Sequence, residues 1–172
     1  YANECRLSAD ERTLFVNETF ARRLTAFDIR GGELVNRRNG AVFGEGCYPD
    51  GLTEAADGSF FVTSLVSNRL LNVRLDGRVE TVLQDADQDH VAWVEAAFQS
   101  GSMGRPHLDE INSKRLRNIS NLAFGGAELT QGYFGCLLGD TIATLAMPTS
   151  GRALDHWRYD LGPLARYLRE DA

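Results

Sequence analysis

Short runs of alternating apolar and polar residues recur along the chain, as in Thr13-Leu14-Phe15-Val16, Phe60-Phe61-Val62-Thr63 and Leu70-Leu71-Asn72-Val73, and Asp-Gly or Gly-Gly pairs separate them. Alternation of period two between turn-forming pairs predicts many short strands. The chain also repeats itself. Asn3 leads through Leu14-Phe15-Val16 and Arg23-Leu24 to Phe27-Asp28 and Gly31-Gly32, and Asp50 leads through Phe60-Phe61-Val62 and Arg69-Leu70 to Leu75-Asp76-Gly77. A weaker third copy runs from Asn121 to Gly126, with Tyr133-Phe134 in the aromatic position and Thr141-Ile142 where the Arg-Leu pair would fall.

The first two leads lie 47 residues apart, close to the ~40–50-residue period of four-stranded propeller blades. The third lies 71 residues beyond the second, so the spacing predicts an insertion. Residues 89–100 lack Gly and Pro and carry Val91, Trp93, Val94, Ala96, Ala97 and Phe98, which predicts a short helix ended by Gly101. Residues 101–118 read as a long surface connection back to the third repeat. The expected organisation is a single, partial all-β propeller domain over 1–172. Its repeats cover about 1–46, 47–83 and 119–150, with an insertion at 84–118 and a tail at 151–172. Within the tail, Pro163 to Arg169 reads as a helical turn. Closed rings use roughly four to eight blades, so three blades imply partners: self-association, or N-terminal blades outside this stretch.

Composition narrows the function. Lys and Arg total 18 against 24 Asp and Glu, a net charge of −6, and the basic residues are scattered, which excludes a phosphate-tracking nucleic-acid surface. No run reaches the roughly 18 apolar residues of a spanning helix, and no membrane partner is expected. The N-terminus shows no secretory pattern, so the expected compartment is the cytoplasm, and a start at Tyr1 reads as a trimmed chain. Cys5, Cys47 and Cys136 form no CxxC pair and read as buried free thiols. His90, His107 and His156 form no paired ligand motif and fall to loop, helix end or surface. Gly44-Glu45-Gly46 lacks the rest of a dinucleotide fingerprint, and Gly101-Ser102-Met103-Gly104 is not a nucleophile elbow.

Several segments together carry a family likeness: Ala9-Asp10 to Phe15-Val16, Arg23 to Asp28, Asn36-Arg37-Arg38, Tyr48-Pro49-Asp50-Gly51-Leu52 and Asn121 to Gly126. The sequence resembles the senescence marker protein, gluconolactonase and luciferin-regenerating enzyme family from Tyr1 to about Leu83 and again from about Ser120 to Pro148. The resemblance implies a six-bladed propeller, of which this chain matches the last three blades. It further implies one divalent cation in the central channel, calcium or zinc, and hydrolysis of a lactone or related ester. It places Asp50 on the metal-binding aspartate, which also assists as base, and Asn3 on a metal-binding asparagine. The family usually follows that asparagine with Gly, where Glu4 stands here.

The repeats point the same way independently of the family. Each begins with a side-chain oxygen, Asn3, Asp50 or Asn121, at the start of an innermost strand, and ring symmetry turns all three toward one axis. Hard cations take such carboxylate and amide oxygens at ~2.0–2.6 Å, and a bound cation polarises a carbonyl and acidifies water. Alternatives stand beside each assignment. Pro49-Asp50-Gly51 is also a turn signature, Asn3 reads equally as a turn amide, and Asn121 reads as a channel-facing residue that orients substrate or a water. Glu4, Glu45 and Glu54 lie near the leads, but strand alternation faces Glu4 away from Asn3. The expected activity is a metal-dependent lactonase with a small-molecule lactone or ester substrate. The rivals are a non-catalytic propeller that binds a small molecule or protein, and a fragment completed by complementary blades.

Overall fold

The computed structural model of the protein describes residues 1–110, 112–160 and 162. Strands β1 (Ala2–Leu7), β2 (Thr13–Glu18), β3 (Arg23–Arg30) and β4 (Glu33–Val42) form one antiparallel sheet in chain order. Strands β5 (Cys47–Glu54), β6 (Phe60–Val66), β7 (Arg69–Val73) and β8 (Val79–Gln84) form a second, and β9 (Ile119–Gly125), β10 (Gln131–Cys136) and β11 (Ala143–Ala146) a third. The first strands meet, β1 on β5 and β5 on β9. This is the packing of consecutive propeller blades, each presenting its innermost strand to a shared centre, and the all-β propeller architecture expected from the sequence is the one found.

Alternation along β6 and β7 explains why the middle blade holds the other two. Phe60, Val62, Leu71 and Val73 face the first blade and pack with Leu24, Ala41 and Phe43. Phe61 and Leu70 face the third blade and pack with Ile119, Leu122, Phe134 and Met147. All of β6 is buried, and each large apolar side chain so enclosed contributes about 1.5–3 kcal/mol. The blades approach closely where Gly51 faces β9. A Cβ there would lie 2.5 Å from the Ser120 carbonyl oxygen and 2.6 Å from the Asn121 Cα. Backbone cannot give way as a flexible side chain can, so Gly51→Ala is expected to cost about 2–3 kcal/mol, read as a lower urea midpoint with an unchanged slope.

The predicted helix is present as α1 (Gln88–Gln99). The Asp87 carboxylate accepts the His90 N–H and caps its start. Gly101, at φ +71, turns the chain so that its own N–H reaches the Phe98 carbonyl and that of Ser102 reaches Ala97. Val91 and Val94 then pack on Tyr48, Leu65 and Val66.

The connection at 101–118 runs mostly over the surface, as expected, but it contains a short helix, α2 (Arg105–Asp109), and buries Leu116 and Asn118. Its backbone is held by side chains: the Asp85 carboxylate accepts the N–H groups of Arg115 (2.7 Å) and Leu116 (2.8 Å), and Asn118 Oδ1 accepts that of Val66 (2.9 Å). These bonds satisfy polar groups that burial would otherwise strand. Thr141-Ile142 does not occupy the place of Arg23-Leu24 or Arg69-Leu70. The link after β10 is longer, β11 starts at Ala143, and Ile142 stays 69% exposed. Cys47 is buried as expected, but Cys5 is exposed on β1 and Cys136 is half-buried. His90 does sit at a helix end, yet it is buried. In the tail, Gly151 bridges to Ala55 and Asp155–Arg158 form a single 3-10 turn. The helical turn expected at 163–169 lies outside the described residues. No helix among the described residues is long and apolar enough to cross a membrane.

Candidate functional site

Asn3 and Asp50 stand near the starts of β1 and β5, and the packing of those strands brings their side chains into contact. Asn3 Nδ2 donates to Asp50 Oδ1 and, at 3.1 Å, to Thr19 Oγ1. Pro49-Asp50-Gly51 forms no turn. It lies inside β5, where the pairing with β6 slips between Pro49 and Leu52. Pro49 is tolerated there because the innermost strand has one unpaired edge.

Polar side chains of the first blade converge on three successive residues of β5. Asn17, fully buried on β2, donates through Nδ2 to the carbonyls of Asp50 (3.1 Å) and Gly51 (3.0 Å), while its Oδ1 has no partner. Glu4 Oε2 accepts the Leu52 N–H at 2.6 Å, and its other oxygen pairs with Arg6. Glu4 therefore does not face away from this region as alternation predicts. The pairing of β1 with β2 is irregular between Ala2 and Cys5, and such a slip resets which way side chains point. Burial pushes the Asp50 carboxyl up from its ordinary range. The hydrogen bond from Asn3 pulls it back, and the neighbouring charge of Glu4 adds to the rise.

Asn121 is exposed on β9. Its Oδ1 accepts the Gly135 N–H at 3.1 Å, so it bonds within its own blade, and among the described residues it shares no hydrogen bond with Asn3 or Asp50. Glu54 pairs with Arg152 at 2.6 Å, and the Glu45 carbonyl accepts from Arg69. Asn17 is the residue missed in the sequence. Its signal was a polar residue inside the run Leu14 to Val16 and onward. Thr63 repeats the role one blade on, accepting the Gly51 N–H and donating to the Ser120 carbonyl, both at 2.9 Å.

The donor set suits a hard divalent cation. Asp50 offers carboxylate oxygens, and a half-turn of the Asn3 amide exchanges its NH2 for Oδ1. Among the described residues no group of three His, Cys, Asp or Glu side chains comes together, so a cation here would rely on amide oxygen as well as carboxylate.

Among solved structures, the chain is similar to luciferin-regenerating enzyme, with 17% identity and a TM-score of 0.60 over 88% of this chain and 47% of that one. A gluconolactonase from Xanthomonas campestris matches with 21% identity and a TM-score of 0.57 over 86% of this chain and 38% of that one. Regucalcin from Agrobacterium tumefaciens, a calcium-binding protein, matches with 12% identity and a TM-score of 0.57 over 88% and 47%. These likenesses show the fold, and the chain spans less than half the length of each. Its three blades thus correspond to part of a six-bladed propeller. No curated protein matches the sequence. The family described as SMP-30/Gluconolactonase/LRE-like region matches residues 1–92, more than half the chain and the stretch that contains Asn3, Glu4, Asn17 and Asp50. The chain belongs to the SMP-30/gluconolactonase/LRE-like family.

Proposed function

We propose that this protein is part of a metal-dependent hydrolase that opens a sugar lactone or a related ester. The observation that carries this reading is the contact of Asn3 with Asp50, two polar side chains 47 positions apart that meet on the innermost strands of adjoining blades. A divalent cation bound there, calcium or zinc, supplies Lewis-acid polarisation of the substrate carbonyl. Asp50 holds one side of the site and, half-buried with an elevated pKa, accepts a proton from the attacking water. Asn3 would complete the coordination through its amide oxygen, and Asn121 would orient substrate from the third blade. Family membership and the gluconolactonase and calcium-binding relatives of the same fold support the assignment.

A specific observation also favours completion of the ring by further blades. Leu14, Val16 and Phe27 on the outward face of the first blade are only half-covered, and Tyr133 on the outward face of the third is 40% exposed. The activity is therefore assigned to the ring that these faces complete. The test is hydrolysis of a gluconolactone by protein stripped with chelator and then given calcium, manganese or zinc. Turnover that returns with the cation and is lost again with chelator is expected. Stoichiometric cation binding without turnover, in the chain and in the completed ring alike, would exclude the hydrolase and leave a binding propeller.

A further inference from the structure

We propose that Glu4 supplies a second negative charge to the cation site, seated beside Asp50 by the irregularity in β1 and anchored on the free edge of β5. This rests on the reading of Asn3 and Asp50 above. In a regular strand, neighbouring side chains face opposite ways. Here the register slip between Ala2 and Cys5 lets both Asn3 and Glu4 reach β5, one at Asp50 and the other at the Leu52 N–H. Because among the described residues β5 pairs only with β6, an amide on its other edge needs a partner from elsewhere, and Glu4 provides it at 2.6 Å. That bond ties the Glu4 carboxylate to a residue two positions from Asp50.

Two more features favour a positive charge here. Glu4 is bonded two residues along β5 from Asp50, and like charges so placed repel unless a cation offsets them. Asn17, wholly buried, braces the backbone of this stretch of β5 through the Asp50 and Gly51 carbonyls, which fixes where the Asp50 side chain leaves the strand. Arg6 offsets Glu4 in part, but its side chain is 44% exposed, so water screens it. Each carboxylate oxygen keeps a second lone pair, so the bonds to Leu52 and Arg6 leave Glu4 able to act on a cation directly or through water.

The roles separate by titrating calcium alone into the intact chain by calorimetry, for the parent protein and for Glu4→Gln, Arg6→Gln and Asp50→Asn. Gln keeps an acceptor for the Leu52 N–H, so Glu4→Gln is expected to melt no lower than the parent in the absence of calcium yet bind it about tenfold more weakly. Arg6→Gln removes a competing positive charge and is expected to tighten calcium about threefold. A purely structural Glu4 predicts no loss in Glu4→Gln. Calcium affinity equal to the parent's in Glu4→Gln, or no gain in Arg6→Gln, overturns the role of Glu4. Should Glu4→Gln fail to fold, Arg6→Gln alone decides, since it alters an exposed side chain. A parent protein that binds no calcium, or binds it regardless of Asp50→Asn, sinks the reading of Asn3 and Asp50 itself and this inference with it. Loss in Asp50→Asn with no change in Glu4→Gln sinks only the latter.

Discussion

Asp50→Asn is expected to abolish the calcium-dependent lactone opening proposed for the completed ring, with kcat/KM falling on the order of 10³-fold, while raising the melting temperature of the protein in chelator. The two effects share one cause. The Asp50 carboxylate is half-buried, its pKa is raised first by that burial, and the charge of Glu4 presses on it. A group whose folded pKa lies above its unfolded value costs stability once ionised, so at neutral pH a neutral amide of the same shape removes the penalty. The same charge is what a divalent cation needs, so stability and function pull in opposite directions at this position. Thermal melts in chelator, paired with turnover in calcium, give the two readings. A variant that loses activity and also melts lower would reveal Asp50 as a structural residue rather than a ligand or base.

The propeller was legible because its unit repeats. Asp-Gly and Gly-Gly pairs bound the strands, and the leads Asn3 and Asp50, 47 residues apart, fall on equivalent positions of neighbouring blades. Equivalent positions of adjacent innermost strands are near one another wherever sheets pack around a centre, and periodicity alone carries that information. The direction of Glu4 was hidden because it depends on a register slip, and alternation assumes none. Asn121 carries the same kind of head group as the other leads but bonds to Gly135 of its own blade. Sequence equivalence cannot reveal that choice between partners. The connection at 101–118 looked like surface because its polar residues outnumber its apolar ones. Among the described residues only its end, Leu116 and Asn118, is buried, and that depends on Asp85 and Val66, distant in sequence, to pair with its backbone and with Asn118.

The least legible contact ties α1 to the first blade, and its presence should show as acid-sensitive stability. Arg22, in the turn between β2 and β3, donates from Nη1 and Nη2 to the Glu95 carboxylate on α1 at 3.0 and 2.6 Å. Its guanidinium lies 4.1 Å from the Phe98 ring centre and 4.8 Å from that of Tyr48. The Tyr48 hydroxyl accepts from Arg22 at 2.9 Å and donates to Glu95 at 3.3 Å, and burial pushes that phenol up to about 12. Only 11% of the Arg22 side chain and 14% of that of Glu95 are exposed, so solvent screens the pair weakly. Burial acts to raise the Glu95 carboxyl, but bonds from Arg22, Gln99 and the Gly46 N–H outweigh it and bring the pKa from 4.5 to about 2. A depressed folded pKa stabilises the fold above the unfolded value, and that contribution fades as pH falls from about 4.5 toward 2. At about 1.4 kcal/mol per tenfold change in proton affinity, it amounts to roughly 3 kcal/mol at pH 7. Arg22→Leu leaves Glu95 enclosed without its cation and is expected to cost about 3–5 kcal/mol. Urea unfolding of the parent and of Glu95→Gln should differ by about 2–3 kcal/mol at pH 7 and by about 1 kcal/mol at pH 3, since every other carboxylate titrates alike in both. A gap that stays constant across that range would mean the helix is held by its apolar face, Val91, Val94 and Ala97, and that the ion pair only decorates it.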